Sequence, residues 1–145
     1  MAAPLLIAAD HAGFELKEAL KQSLERRGVA YRDLGTSSSD SVDYPDFAHR
    51  LADAIGRGEA ERGLLVCGSG QGMAMAANRH HGVRAALATD EESARLSREH
   101  NDANVLSLGA RVTPPDRAER ILEVFLATPF AGGRHERRVS KIEPA

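Results

Sequence analysis

The sequence predicts an α/β protein. It is one domain in three layers, α/β/α, with a five-stranded parallel sheet of Rossmann-like winding between two sheets of helices. Three observations carry this. Strand-length runs such as Leu5-Leu6-Ile7-Ala8-Ala9 and Leu64-Leu65-Val66-Cys67 are apolar throughout rather than alternating, as strands covered on both faces must be. Between such runs lie stretches with apolar residues three and four apart, the period of a helix with one buried face. The 145 residues hold no linker, internal repeat or low-complexity segment, so residues 1–145 form one unit long enough for its own core.

Taken in order, Leu5 to Ala9 is the first strand, and Phe14 to Arg27 the first helix. That helix places Leu16, Ala19, Leu20 and Leu24 on one face and stops at Gly28. Val29 to Leu34 is a second strand, more polar and so nearer an edge. Gly35 to Tyr44 has no period and reads as a polar loop. Pro45 opens a helix running through Ile55, with Phe47, Leu51, Ala54 and Ile55 inward and Gly56 and Gly58 beyond its end. Leu64 to Cys67 is the third strand, followed by a short helix to about Arg79, and Val83 to Ala88 is the fourth. A helix from Asp90 to about Glu99 leads to the fifth strand, Val105 to Leu108, and Pro114 to Leu126 is a long helix. The tail from Gly132 to Ile142 carries Arg134, His135, Arg137 and Arg138.

Composition removes several function classes. A formal net charge of -2 argues against nucleic-acid or membrane-surface binding, and an aromatic content of 4% without tryptophan leaves little for base stacking. No apolar run approaches the roughly eighteen residues of a membrane span. Met1 to Ala9 is apolar but lacks a basic lead and ends at Asp10 and His11, so a signal peptide is not expected. The single cysteine excludes an internal disulfide and a cysteine-rich zinc site and fits a reducing compartment, so a cytoplasmic location is expected. His49, His80 and His81 lack metal-ligand spacing and are assigned to surface or structure. No metal is expected.

Ligands of parallel sheets bind outside the carboxyl ends of the strands, which directs attention to three places. Cys67-Gly68-Ser69-Gly70-Gln71-Gly72 lies between a strand and a helix, and its alternating glycines let successive N–H groups turn toward one point, assisted by the helix start. That is an anion site, or else a tight strand-to-helix turn; it has neither the Walker nor the dinucleotide spacing. Cys67 is either a thiolate able to move a proton or a buried apolar cysteine. Asp10-His11 follows the first strand, as functional groups or as a helix cap beside a surface histidine. His100-Asn101-Asp102-Ala103-Asn104 joins a helix to a strand, where the plain alternative is a helix C-cap. Arg134 and Arg138, at i and i+4, share a helix face and could grip one phosphate, or form a solvated charge run.

Together these segments resemble the ribose-5-phosphate isomerase B family, which includes galactose- and allose-6-phosphate isomerases. The match covers nearly the whole chain. It rests on Asp10-His11-Ala12-Gly13, Gly35-Thr36, Asp43-Tyr44-Pro45-Asp46, the glycine loop with Ala76-Ala77-Asn78-Arg79, His100 through Leu106, and Gly132-Gly133-Arg134-His135 with Arg138. The resemblance implies aldose–ketose isomerisation of a phosphosugar through an enediolate, without metal or cofactor. Cys67 matches the family's base and His100 its ring-opening acid–base. Asp10, His11, Gly68, Ser69, Gly70, Gln71, Gly72, Asn101, Arg111, Arg134 and Arg138 match contacts to sugar and phosphate. A site shared between two subunits is implied too, hence a homodimer or a dimer of dimers. Ser69 stands where other members carry threonine, and the hydroxyl survives. Met73 stands where one branch places a glutamate base, which leaves Cys67 alone for that role. Ribose 5-phosphate is the expected substrate within the pentose phosphate pathway. The alternatives are allose or galactose 6-phosphate, or a non-catalytic phosphosugar-binding protein.

Overall fold

The structure, a computed structural model, describes residues 3–144. Its elements run β1 (Leu5–Ala9), α1 (Phe14–Arg26), β2 (Tyr31–Asp33), α2 (Tyr44–Gly56), β3 (Gly63–Cys67), α3 (Gln71–Ala77), β4 (Ala85–Leu87), α4 (Glu91–Glu99), β5 (Val105–Gly109), α5 (Pro115–Ala127) and α6 (Arg134–Val139). The five strands form one parallel sheet in the order β2-β1-β3-β5-β4. Because side chains alternate across a strand, Leu5, Ile7 and Ala9 pack under α1, α4 and α5, while Leu6 and Ala8 pack under α2 and α3. Three central strands are buried at every residue, which is why their sequences show no polar alternation.

Both outer strands are shorter than their apolar runs. Val29 donates its N–H to Leu24 O and Val83 to His80 O, so each is held in a turn before its strand begins. β2 does lie at the edge that its polarity suggests. Likewise α3 ends at Ala77, because the Asn78 amide turns away to bond both backbone groups of Ala85 on β4.

On α1 the structure corrects the expected face: Ala19 is exposed and Lys17 is fully buried. Lys17 Nζ reaches Asp33 Oδ1 and Oδ2 at 2.7 and 2.8 Å and Thr36 O at 2.6 Å. It thereby clamps the end of β2 and the loop beside Ala9 to the helix. Removing one partner of a buried pair strands the other, so Lys17→Met should lower unfolding free energy by about 3 kcal/mol in urea titration. The figure sits low in the usual range because Asp33 keeps bonds from Lys21 and the Gly35 N–H. Burial alone would raise the Asp33 carboxyl, but the bonds from Lys17, Gly35 and Lys21 outweigh it and hold it below the ordinary range. A depressed folded value means this stabilisation is full above the unfolded carboxyl range near pH 3.9 and is lost as pH falls through the folded value. Wild type should therefore lose stability on acidification more steeply than Lys17→Met.

Candidate active site

The winding creates a crevice. β1 and β3 are neighbours, yet α1 leaves toward one face of the sheet and α3 toward the other. The loops after the two strands diverge, which is the place where doubly wound sheets bind ligands. A cavity of about 480 Å³ lies there, within the usual span for small-molecule sites. Asp10, His11, Cys67, Gly68, Ser69, Gly72 and Arg111 line it, together with Ala12, Tyr44 and Val112.

Each wall has a local cause. The Asp10–Gly13 turn presses so closely on β3 that a Cβ at Gly13 would meet Val66 O at 2.3 Å. Asp10 closes that turn through Oδ1, which accepts the Gly13 N–H at 2.9 Å; the residue capping α1 is Gly13 itself. His11 Nδ1 accepts the Val42 N–H at 3.1 Å, which fixes the neutral tautomer with its proton on Nε2 and ties the 35–44 loop to the site.

Cys67 ends β3 with its side chain 4% exposed, and its Sγ accepts the Gly70 N–H at 3.2 Å. Gly70 adopts φ +79°, the left-handed conformation that a glycine holds without strain, and this turn aims its N–H back at the sulfur. The Gln71 N–H is used by Ser69 Oγ at 3.2 Å. Among the described residues no acceptor faces the N–H groups of Gly68, Ser69 or Gly72. Those are the donors the loop offers a ligand. Gln71 itself is exposed and outside the cavity wall. α3 has only seven residues, so the loop N–H groups rather than a long helix dipole define this corner.

β5 supports the loop from below. Its backbone is clasped to the end of β3 by Ala110 N–H to Cys67 O at 2.8 Å and Arg111 N–H to Gly68 O at 2.9 Å. Ser107, buried in an apolar strand, donates its hydroxyl to Gly70 O at 2.6 Å. Sequence reasoning gave Ser107 no role, although a lone hydroxyl amid apolar strand residues was the available signal. Tyr44 was likewise left without a role. It opens α2 beside Pro45, and its ring packs over Gly72.

The remaining site residues of the sequence reading lie elsewhere. His100 caps the carboxyl end of α4 and Asn101 follows it, just before β5 begins at Val105. Cys67 pairs with Gly109 at the opposite end of that strand. Four steps along β5 separate the two ends by roughly 13 Å at about 3.3 Å per residue. Asn101 borders a different cavity with Asn78, Arg84 and Glu143. Arg134 and Arg138 are exposed on α6, and the His135 ring between them stacks on His100 with centroids 4.3 Å apart and planes 15° apart. One chain thus holds two separate groups of polar side chains: a thiol beside a glycine-rich turn, and a histidine near Arg134 and Arg138.

A doubly wound sheet with a buried thiol and a glycine-rich turn at its switch point has the layout of an α/β protein that binds a small ligand there. The family can be named more closely. The family model described as Ribose/Galactose Isomerase matches residues 5–142, and the chain belongs to that family of isomerases. It is 43% identical over 138 residues to ribose-5-phosphate isomerase B of Escherichia coli, covering 95% of this chain and 93% of that one. It also superposes on a ribose 5-phosphate isomerase from Thermotoga maritima with a TM-score of 0.96 at 48% identity over the whole of both chains. The type B enzyme of Trypanosoma brucei gives 0.94 at 44% identity, covering 98% of this chain and 97% of that one.

Among the described residues no helix is long and apolar enough to cross a membrane, and no group of histidine, cysteine and carboxylate side chains has the arrangement to hold a metal ion.

Proposed function

We propose that the protein interconverts D-ribose 5-phosphate and D-ribulose 5-phosphate through an enediolate, as a cytoplasmic enzyme of the pentose phosphate pathway working without metal or cofactor. The observation that carries this reading is the Cys67 sulfur at the cavity wall, beside free loop N–H groups and in the same lining as His11 and Arg111. In the open-chain aldose the thiolate takes the C2 proton and the electrons move through a new C1–C2 double bond onto the carbonyl oxygen; the O2 hydroxyl proton passes to that oxygen, and the thiol returns its proton to C1 as the C2 carbonyl forms. The charge that gathers on oxygen meets the N–H groups of Gly68, Ser69 and Gly72, donors fixed in place before the reaction begins. Asp10 and His11 hold sugar oxygens, His11 through its Nε2–H.

The second half-site comes from another copy of the chain. His100 of a partner subunit opens the furanose ring, Asn101 holds the sugar, and Arg134 and Arg138 bind the phosphate together with Arg111. The apolar rim supports such an assembly: Tyr44, Met75, Leu87 and Val112 are all exposed, Tyr44 and Leu87 adjoin the glycine loop, and Val112 lies against Gly109 at the end of β5. A homodimer or a dimer of dimers, with sites shared across the interface, satisfies both halves.

The test is to add ribose 5-phosphate to the purified protein and follow ketopentose formation, with allose and galactose 6-phosphates in parallel. No ribulose 5-phosphate would sink the reading, and faster turnover of a six-carbon sugar would move the substrate assignment. Turnover should be unchanged by EDTA. Arg134→Ala or Arg138→Ala should raise KM about tenfold to a hundredfold with a smaller effect on kcat, because a phosphate contact binds ground and transition states alike. Arg137→Ala, on another side of α6, should stay near wild type. Steady-state kinetics on the three variants checks this.

A further inference from the structure

His135 has no part in the scheme above, yet the fold takes care to place it. The Ala131 N–H bonds Glu99 O at 3.1 Å and brings the chain back to the end of α4. The Gly132-Gly133 turn then starts α6 so that its second residue lies flat on His100. We infer that His135 is a positioning residue for ring opening: its imidazole, stacked face to face on His100, fixes the plane in which His100 exchanges a proton with the sugar. The inference rests on the isomerase reading and on the ring-opening role of His100.

Offset stacking of two flat rings leaves the edges free, so both His100 nitrogens stay available to substrate while the face is held. Burial, the neighbouring His100 and the cations of Arg134 and Arg138 push His135 below the ordinary histidine range, against a smaller opposing pull from Glu99. Asp102, two residues beyond His100, is engaged by Arg98 and Arg84, and Glu136 adjoins His135 on α6. These surroundings favour the neutral form of His135, a flat uncharged face against His100.

The experiment compares His135→Ala with His135→Phe, which restores a flat neutral face. His135→Ala should slow conversion of cyclic ribose 5-phosphate up to about tenfold, the worth of a strong aromatic pair. It should spare the reverse reaction, because ribulose 5-phosphate has no ring to open, and His135→Phe should recover most of the lost rate. Histidine NMR titration of the wild type supplies a readout independent of turnover. The His135 midpoint should lie below the ordinary histidine range. A His135 midpoint at the ordinary histidine value, equal losses in both directions, or a His135→Phe enzyme as slow as His135→Ala would each overturn the inference. A wild type inert on ribose 5-phosphate strikes instead at the isomerase reading, so the two failures are told apart.

Discussion

Cys67→Ala should abolish isomerisation while phosphosugar binding stays within a few-fold of wild type. The substitution removes the proposed base from the cavity wall. Met73, buried behind the loop, cannot replace it, and Asp10 spends Oδ1 on the Gly13 N–H. Loss of a general base typically costs about 10²–10⁴-fold, and the cost is greater where no neighbour can substitute. The N–H cradle, His11 and Arg111 survive the change, so affinity should survive with them. Turnover by coupled assay and binding by calorimetry on the same preparation separate the two effects. One equivalent of a thiol alkylating agent should inactivate the wild type, with phosphosugar protecting it. Near-normal turnover in Cys67→Ala would end the case for a thiolate base.

The sequence announced the sheet because burial on both faces leaves an unmistakable residue pattern. Leu5–Ala9, Gly63–Cys67 and Val105–Gly109 are apolar without alternation, and all three proved central. What failed was set by contacts distant in sequence. Val29 and Val83 have strand propensity, yet hydrogen bonds to the preceding turns keep them out of the ladder. The helical run to Arg79 stops early because Asn78 finds the backbone of β4. Lys17 sits on a face where helix period favours an exposed residue nearby, and only the Asp33 carboxylate arriving from β2 makes its burial tolerable. Ser107 supports Gly70 across 37 positions of sequence separation, which no local pattern encodes.

The site was legible in a similar, uneven way. A strand ending in cysteine and a glycine alternation identify the cradle, since the strand-end rule supplies its position. The same rule says nothing of His100, which precedes a strand rather than following one. Its separation from Cys67 follows from topology: in a parallel sheet a helix that returns from a strand's carboxyl end must finish near the amino end of the next. The two groups cannot meet within one chain while β5 lies between them.

That separation leads to the second large effect. His100→Asn should slow conversion of cyclic ribose 5-phosphate by about a hundredfold, the low end for a general acid–base because rings also open unaided in water. Conversion of ribulose 5-phosphate, already open, should be largely spared. Mixing then tests the division of the site. In a hybrid dimer of Cys67→Ala and His100→Asn chains, one site carries both lesions. The other pairs the intact Cys67 of one chain with the intact His100 of its partner. If two inactive variants assort at random under twofold symmetry, half of the dimers are hybrids and about a quarter of all sites are whole. Co-expression with distinct tags, or mixing after dissociation, should therefore restore about a quarter of wild-type activity on cyclic substrate. Each site built within a single chain would give no recovery at all, because every chain would still carry its own lesion.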